Sequence, residues 1–313
     1  MIEVRHLTKN YGTKTALDDV SFTVNEGEVA GLLGPNGAGK STTMNIITGN
    51  LSASSGSVCV GGFDILEEPM EAKKRLGYLP ELPPLYPDMT VTQYLKFVYE
   101  LKKCRLPREE HLSGVLTAAH IEDVKSRVIK NLSKGYRQRI GIAQALIGDP
   151  KVLILDEPTV GLDPKQLLEM RELIRAQVKH RTVILSSHIL SEVQATCTRV
   201  LVLDHGRLIA DDTPKELARR LSGGTLFIRL IGPRHEAQRI LKETPGILSF
   251  TEKHADDPDQ CAFRIRCEEA EELRVRLAGA FRASVCLPVE ISGADMSLEN
   301  IFLTLTKQEG EAQ

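Results

Sequence analysis

The stretch Gly34-Pro35-Asn36-Gly37-Ala38-Gly39-Lys40-Ser41 fits the pattern G-x-x-x-x-G-K-[ST] at every position. An apolar run at residues 29–33 leads directly into it, and Met44 and Ile47 afterwards fall on one helical face. A strand, a glycine loop and a helix form the context that this pattern requires. Glycines let successive N–H groups turn inward as an anion nest, at the positive end of the following helix. The stretch therefore predicts a phosphate-binding loop rather than a chance glycine-rich turn.

The side chains at the end of this loop predict how a nucleoside triphosphate and its metal ion are held. Lys40 would bring a mobile positive charge to the β- and γ-phosphates, and the Ser41 hydroxyl would ligate Mg²⁺. The expected nucleotide-binding residues form one continuous segment: Gly34, Pro35, Asn36, Gly37, Ala38, Gly39, Lys40, Ser41 and Thr42.

A second stretch, Val152-Leu153-Ile154-Leu155-Asp156-Glu157-Pro158, is an apolar run that ends in two adjacent carboxylates. A strand there would bring both carboxylates to the carboxyl edge of a sheet, where ligands of open α/β sheets bind. We expect Asp156 to hold Mg²⁺ through a water molecule, and Glu157 to act as the general base towards the attacking water. A helix-capping pair before Pro158 is the weaker alternative beside the glycine loop. Together the two stretches predict a nucleotide hydrolase rather than a binding module.

Length and composition predict a soluble protein with one large domain and a smaller one. The chain has 313 residues, which exceeds one average domain. Its formal net charge of −2 gives no reason to expect nucleic-acid binding. The N-terminal sequence has no signal-peptide pattern, and no apolar stretch approaches the roughly 20 residues of a membrane helix. The cysteines are scattered, which predicts free thiols in a reducing cytosol.

Alternating apolar runs and helical patterns predict a mainly parallel sheet. Helical patterning fills most of residues 90–148, and a further helix is expected from Pro164 to about His180. In that helix Leu168, Leu173 and Ile174 belong to the predicted apolar stripe. Residues 200–209 predict a hairpin that turns at His205-Gly206.

The C-terminal part predicts a separate small α+β domain. Ser222-Gly223-Gly224 is the expected boundary, so the domains would be residues 1–221 and 222–313. Beyond it the patterns follow the order strand, helix, strand, strand, helix, strand, which is the ferredoxin-like arrangement. A last amphipathic helix is expected at residues 297–306.

Three further segments carry a resemblance to a known family, the ATP-binding cassette (ABC) ATPases. Leu132-Ser133-Lys134-Gly135-Tyr136 resembles the LSGGQ signature, with Lys134 and Tyr136 in place of Gly and Gln. Gly161-Leu162-Asp163-Pro164 resembles the D-loop of that family. His188 stands where the family has its switch histidine, and Tyr11 stands where an aromatic ring stacks on adenine. The order of the elements is similar to that family over residues 1–221.

The resemblance implies a fold for the first domain and a working assembly. The fold would be α/β, a P-loop ABC ATPase core with a mainly parallel sheet and helices. An N-terminal antiparallel β subdomain and an inserted helical subdomain at about residues 82–148 would complete it. The cofactors would be ATP and Mg²⁺. Two ATPase subunits, as a homodimer or a heterodimer, would close head to tail around the nucleotide.

The same resemblance implies roles for individual residues. The signature residues Leu132, Ser133, Lys134, Gly135 and Tyr136 would face the nucleotide of the other subunit. There the Ser133 hydroxyl and the Gly135 N–H would contact the γ-phosphate. His188 would hydrogen-bond the γ-phosphate held by its own chain, and Asp163 would belong to the D-loop.

One position departs from the family pattern. The string Gly77-Tyr78-Leu79-Pro80-Glu81 puts Glu81 where the family usually has a glutamine, in the loop that links the nucleotide to the membrane partner. A carboxylate can ligate magnesium more strongly than an amide oxygen. We therefore expect Glu81 to contact the metal ion directly or through water. Three segments resemble the stand-alone ATPase subunits of multidrug, polysaccharide and gliding-motility type exporters of bacteria: Pro80-Glu81, the signature variant Lys134-Gly135-Tyr136-Arg137-Gln138-Arg139 and the terminal Ser297-Leu298-Glu299-Asn300-Ile301-Phe302.

These observations favour the ATPase subunit of an ABC transporter that exports its substrate and acts on a separate integral-membrane permease. It would lie in the cytoplasm, at the periphery of the inner face of the cell membrane, with no nucleic acid as partner. Two alternatives stay open. A soluble ABC ATPase that acts on the ribosome or on nucleic acid would need basic or coiled-coil insertions, which this chain lacks. An ordinary P-loop kinase or GTPase would not explain the signature-like segment and His188.

Overall fold

The structure, a computed structural model, describes residues 1–217, 224–253, 257, 260–267, 270–282 and 284–293. The chain divides into two units, Met1–Pro214 and Lys215–Gln313. The expected boundary after residue 221 and the expected helix at 297–306 lie outside the described residues, so the structure does not bear on either of them.

The strands of the first unit are β1 Ile2–Tyr11, β2 Lys14–Val24, β3 Val29–Leu33, β4 Ser55–Val60, β5 Phe63–Asp64, β6 Leu76–Leu79, β7 Val152–Asp156, β8 Thr182–Ser187, β9 Arg199–Asp204 and β10 Arg207–Asp212. Its helices are α1 Lys40–Ile47, α2 Pro69–Lys74, α3 Val91–Leu101, α4 Arg108–Ala118, α5 Lys134–Leu146, α6 Pro164–Val178 and α7 Leu190–Thr196.

The central sheet of this unit has six strands in the order β10-β9-β3-β8-β7-β6. All neighbours are parallel except β9 and β10, which form the predicted hairpin through His205 and Gly206. Every residue of β3, β7 and β8 is buried. Strands covered on both faces consist of continuous apolar runs, which is why the sequence shows no alternation here. The predicted mainly parallel sheet is confirmed.

A second sheet lies on the N-terminal side of the same unit, with the strand order β2-β1-β4-β5 and antiparallel pairing. Inward-facing residues of β1, such as Ile2, Val4 and Leu7, share one apolar core with Ile154 and Ile184 of the central sheet. The two sheets are therefore joined by a common core rather than by a linker.

Helices α3, α4 and α5 follow one another along residues 91–146, after a segment at residues 80–87 that contains four prolines. A capping box begins α3, because the Thr90 side chain accepts from the Gln93 N–H and the Gln93 side chain accepts from the Thr90 N–H. Ser133 caps α5 by accepting from the Tyr136 N–H. The signature-like segment therefore lies at the N-terminus of a helix.

Helix α6 differs from its sequence pattern in one residue. Its buried positions are Met170, Leu173, Ile174 and Gln177, a spacing of three and four. Leu168 is 58% exposed, so its predicted place in the apolar stripe is wrong. A position two residues before Met170 lies on the opposite side of the helix, which explains the exposure.

The second unit contains β11 Thr225–Ile231, α8 Arg234–Glu243, β12 Ile247–Lys253, β13 Gln260–Cys267, α9 Ala270–Arg282 and β14 Leu287–Gly293. Its sheet is antiparallel, in the order β12-β13-β11-β14. Apolar residues of both helices and of β11 and β13 form its own core, which includes the fully buried Phe263 and Phe281. The order of elements is the one that the sequence predicts.

No helix in the described ranges combines the length and the apolar character that crossing a bilayer would require.

Gly77 in β6 allows α5 to approach the sheet closely. A Cβ atom at this position would lie 2.4 Å from the Ala145 carbonyl oxygen and 2.9 Å from Pro150 Cγ. Because a backbone oxygen cannot rotate away, Gly77→Ala should lower the free energy of unfolding by about 1–3 kcal/mol. Urea unfolding, monitored by circular dichroism, measures this change in the free energy of unfolding.

The matched control is Gly114→Ala in α4, where a Cβ atom meets nothing within 4 Å. Alanine favours the helix there, so this variant should gain about 0.5–1 kcal/mol. Equal unfolding midpoints for the two variants would contradict the close approach of α5 to β6.

Candidate functional site

The loop from Gly34 to Gly39 lies between β3 and α1 and depends on glycine geometry at its end. Gly39 has φ 108°, and a Cβ atom there would lie 2.6 Å from Leu17 Cδ2 and 2.9 Å from the Ala16 carbonyl oxygen. Any other residue would be strained and would collide with β2. This tight exit lets α1 begin at Lys40, so the first N–H groups of the helix face the loop.

A cavity of about 480 Å³ opens beside this loop. The residues predicted from the sequence that line it are Tyr11, Asn36, Gly37, Gly39, Lys40, Ser41, Thr42, Glu81, Glu157 and His188. Lys14, Ala16 and Val160 line it as well and were missed. Lys14 is the hairpin partner of Tyr11 in strand β2, and Ala16 follows it in the same strand. The predicted role of Tyr11 was therefore a usable signal for both residues. Residues more than 170 positions apart thus meet in one cavity.

Lys40 is 7% exposed, and its Nζ donates to the carbonyl oxygens of Gly34 at 2.8 Å and Pro35 at 3.2 Å. Burial lowers the pKa of this amine, while the negative charges of Glu157, Asp156 and Glu81 act in the opposite direction. The lysine is therefore the cationic centre of a group of carboxylates.

Asp156 ends β7 and is 4% exposed. It accepts a hydrogen bond of 2.5 Å from the Ser186 hydroxyl at the end of β8. Burial raises the pKa of the Asp156 carboxyl, and hydrogen bonds from Ser186 and Ser41 partly offset this shift. Asp156 and Ser41, two of the three predicted oxygen ligands of the ion, are thus direct neighbours.

Glu157 is held in an uncommon backbone conformation, with φ 48°. Its N–H donates to Ser186 Oγ at 2.9 Å, and its carboxylate oxygen Oε2 lies 2.9 Å from His188 Nδ1. The Glu157 side chain is 10% exposed and the His188 side chain 48%. An ionised carboxylate only accepts, so Nδ1 carries the proton of this hydrogen bond. The carboxylate is buried and oriented, while the imidazole reaches the surface of the cavity.

The signature-like residues lie elsewhere. Within the described residues, none of Leu132, Ser133, Lys134, Gly135 and Tyr136 lines the cavity of its own chain, and neither does Asp163. The Tyr136 hydroxyl donates to Asp123 at 2.6 Å, while Asp163 caps α6 by accepting from the Gln166 N–H at 2.8 Å. The resemblance implies that the signature residues face the nucleotide of another subunit, and the structure of one chain does not test this expectation.

The family described as ABC transporter matches residues 17–160. The chain is 40% identical over 215 residues to the uncharacterized ABC transporter ATP-binding protein YhcH of Bacillus subtilis, covering 67% of this chain and 68% of that protein. It is 36% identical over 241 residues to the linearmycin resistance ATP-binding protein LnrL of the same organism, covering 76% and 77%. It is 33% identical over 310 residues to the Nod factor export ATP-binding protein I of Rhizobium meliloti, covering 98% and 88%.

Solved structures are similar to more than two thirds of this chain. An ATP-binding subunit of an ABC transporter superimposes with a TM-score of 0.64 at 31% identity, covering 70% of this chain and 92% of that chain. The dimeric structure of the bacterial ABC transporter cassette MJ0796 gives a TM-score of 0.62 at 25% identity, covering 68% and 98%. The similarity therefore extends over nearly the whole of both solved chains.

Proposed function

The chain belongs to the ABC transporter ATP-binding proteins and hydrolyses ATP, and from this premise we propose that it is the ATPase subunit of an exporter. The observation that carries the proposal is the position of Glu157. Its buried carboxylate faces the cavity beside the glycine loop and is 2.9 Å from His188. A general base held close to the phosphate loop suits hydrolysis rather than simple binding.

Each residue of the cavity has a physical use in the proposed reaction. The Lys40 amine and the N–H groups at the start of α1 bind the phosphates, and Tyr11 at the cavity mouth stacks on the adenine. Glu157 accepts the proton of the attacking water. Because Nδ1 of His188 donates to Glu157, only the imidazolium form has a second N–H, at Nε2, for the γ-phosphate. His188 thereby joins the base to the group under attack.

The residues around Ser41 fit a magnesium ion. Mg²⁺ prefers hard oxygen ligands and takes the rest of its shell from water and substrate phosphates. The hydroxyl of Ser41 and the carboxylate of Asp156 are such ligands, and they are neighbours. Across the ranges that the structure covers, no three His, Cys, Asp or Glu side chains form a ready-made metal site. When bound, the ion would neutralise charge on the transferred phosphoryl group.

We also propose Glu81 as a direct or water-mediated contact of this ion. It lines the same cavity, and its charge acts on Lys40. A carboxylate in this loop adds negative charge beside the phosphates, so a cation between the two offsets the repulsion.

Two subunits are needed to complete the site, as a homodimer or a heterodimer. The signature-like segment caps the N-terminus of α5 but does not line the cavity of its own chain in the described structure. A second copy placed head to tail would bring its Ser133 hydroxyl and Gly135 N–H to the γ-phosphate. The dimeric cassette among the similar structures supports this arrangement.

The remaining partner is an integral-membrane permease, and the chain would lie on the inner face of the cell membrane. The names of two relatives, for linearmycin resistance and Nod factor export, support export as the direction. Leu82 and Tyr86 follow Glu81 and are 82% and 50% exposed, which makes this segment a suitable contact for the permease. The low net charge gives no support to a nucleic-acid partner.

Glu157→Gln keeps the shape of the site but removes the base. ATP turnover should fall by roughly 10²–10⁴-fold, whereas ATP binding should persist and the ATP-bound dimer should accumulate. Phosphate release and size-exclusion chromatography with ATP and Mg²⁺ measure the two effects. Glu172→Gln, an exposed position in α6, serves as control and should leave both unchanged. Near-normal turnover of Glu157→Gln would mean that the base lies elsewhere.

Glu81→Gln restores the usual residue of the family and removes one negative charge. If Glu81 contacts the ion, the Mg²⁺ concentration for half-maximal ATPase activity should rise roughly tenfold, at the lower end for outer-shell partners of metal ions. A magnesium titration of activity at saturating ATP gives this value. Glu67→Gln, at an exposed position, is the control. An unchanged magnesium dependence would separate Glu81 from the ion.

Purification from detergent-solubilised membranes of the source cell distinguishes the proposed function from its alternative. An affinity-tagged chain should recover a multi-span membrane protein, and Glu157→Gln with ATP should increase the yield because the closed dimer persists. Recovery of ribosomes or DNA, with no membrane protein, would support the soluble ABC ATPase instead.

A further inference from the structure

Thr159 and Glu192 form a buried polar pair outside the cavity. Thr159 is 6% exposed and Glu192 is 4% exposed. The Thr159 hydroxyl donates to Glu192 Oε2, and the other carboxylate oxygen, Oε1, has no hydrogen-bond partner in the described part of the chain. A carboxylate in this setting is an unusual group to bury.

Stability alone does not explain this carboxylate. A buried charge loses its hydration, and replacement of buried ionic groups by apolar residues of similar volume is often neutral or stabilising. Glu192 lies in the first turn of α7, where the helix dipole favours a negative charge, but α7 has only seven residues. The role of the Thr159–Glu192 pair therefore depends on the two segments that it joins.

The pair connects the same two segments that form the catalytic contact. Thr159 follows Glu157 by two residues, and Glu192 follows His188 by four residues. Upstream, the Glu157 N–H donates to Ser186 Oγ at 2.9 Å, and His188 Nδ1 lies 2.9 Å from the Glu157 carboxylate. The Thr159–Glu192 hydrogen bond joins the same two segments a second time, after the Glu157–His188 contact along the chain.

The backbone conformation of Glu157 explains why a second hydrogen bond between the segments is needed. Its φ of 48° lies in the left-handed region, which a glutamate adopts only when its surroundings enforce it. The turn after it is held by weak local bonds, from the Val160 N–H to the Glu157 carbonyl at 3.3 Å and from the Leu162 N–H to the Thr159 carbonyl at 3.2 Å. Without a side-chain bond at Thr159, the turn could relax and move the carboxylate away from His188.

We propose that Thr159 and Glu192 are positioning residues for ATP hydrolysis, which hold the Glu157 carboxylate at its distance from His188. The inference rests on the proposed role of Glu157 as base. Both residues act through Glu157 and touch neither nucleotide nor metal. They should therefore control the rate of the chemical step and leave ATP binding to the glycine loop.

The test uses the full chain and four single variants, with ATP as the probe. Glu192→Met and Thr159→Val remove the bond, and each should lower kcat by about 10–100-fold, because small displacements of a catalytic group have effects of this size. The KM for ATP should stay within twofold of the wild-type value, and the thermal unfolding midpoint should stay within a few degrees of it. Glu192→Gln and Thr159→Ser keep an acceptor and a donor, so both should retain most of kcat. A dipole role of Glu192 would instead make Glu192→Gln as harmful as Glu192→Met.

The double variant Glu192→Met with Thr159→Val should be no slower than the worse single variant, because the two residues share one bond. Multiplied losses, or wild-type kcat in folded Thr159→Val, would overturn the proposal. If Glu192→Met does not fold, Thr159→Val and the two conservative variants still decide it. Near-normal turnover of the single variant Glu157→Gln would instead refute the role of Glu157 as base. That result is distinguishable from the outcomes for Thr159 and Glu192. Glu172→Met at the exposed position in α6 is the matched control and should leave kcat unchanged.

Discussion

The parallel register of β3, β8 and β7 is the constraint on which the site depends. Leu33 pairs with Ser187, and Asp156 pairs with Ser186, so three strands end at one level. Strands buried on both faces do not gain register from an apolar pattern, because a slip would expose no apolar residue. Polar groups at the two ends of these strands fix the register instead. Thr182 donates to the Asn25 carbonyl at one end of β8, and Ser186 donates to Asp156 at the other. The hydrogen bond that orients Asp156, a proposed metal ligand, thus also helps to fix the register of the sheet.

The charges gathered at this edge determine what can bind there. Lys40 faces the negative charges of Glu157, Asp156 and Glu81, so its side of the cavity is not strongly positive without further cations. A triphosphate would be repelled by such a group at close range. The N-terminus of α1 offsets part of this repulsion, since its N–H groups face the loop. A bound cation, such as the proposed Mg²⁺ at Ser41 and Asp156, would offset the rest. In that case the binding of nucleotide and the binding of metal would be coupled by electrostatics.

Much of this fold could be predicted because the patterns that set it are local. The apolar runs at residues 29–33 and 152–155 form strands. The order of strands and helices in the second unit follows from the spacing of its apolar residues. The contacts that complete the site are not local. Nothing in the spacing of Glu157 and His188 predicts a bond of 2.9 Å, because strand pairing between β7 and β8 creates it. Ser186 was missed for the same reason, since a serine in an apolar run carries no signal until its neighbour strand is known. Leu168 was misplaced because periodicity alone does not say which side of a helix meets the core.

The open side of the cavity agrees with the proposal that one copy of the chain forms only part of the catalytic site. Tyr11 is 50% exposed, and the His188 side chain is 48% exposed, although the Glu157 side chain beside it is buried. Hydrogen bonds and charges act most strongly on a developing phosphoryl charge where water is excluded. An exposed imidazole and an exposed ring cannot exclude water by themselves, so a second surface has to cover them. The N-terminus of α5, capped by Ser133 and lying away from its own cavity, has the N–H groups and the positive dipole end for this position. In the proposed dimer, the separation of the two half-sites within one chain would make hydrolysis depend on the association of two chains, which is the coupling that a transport ATPase requires.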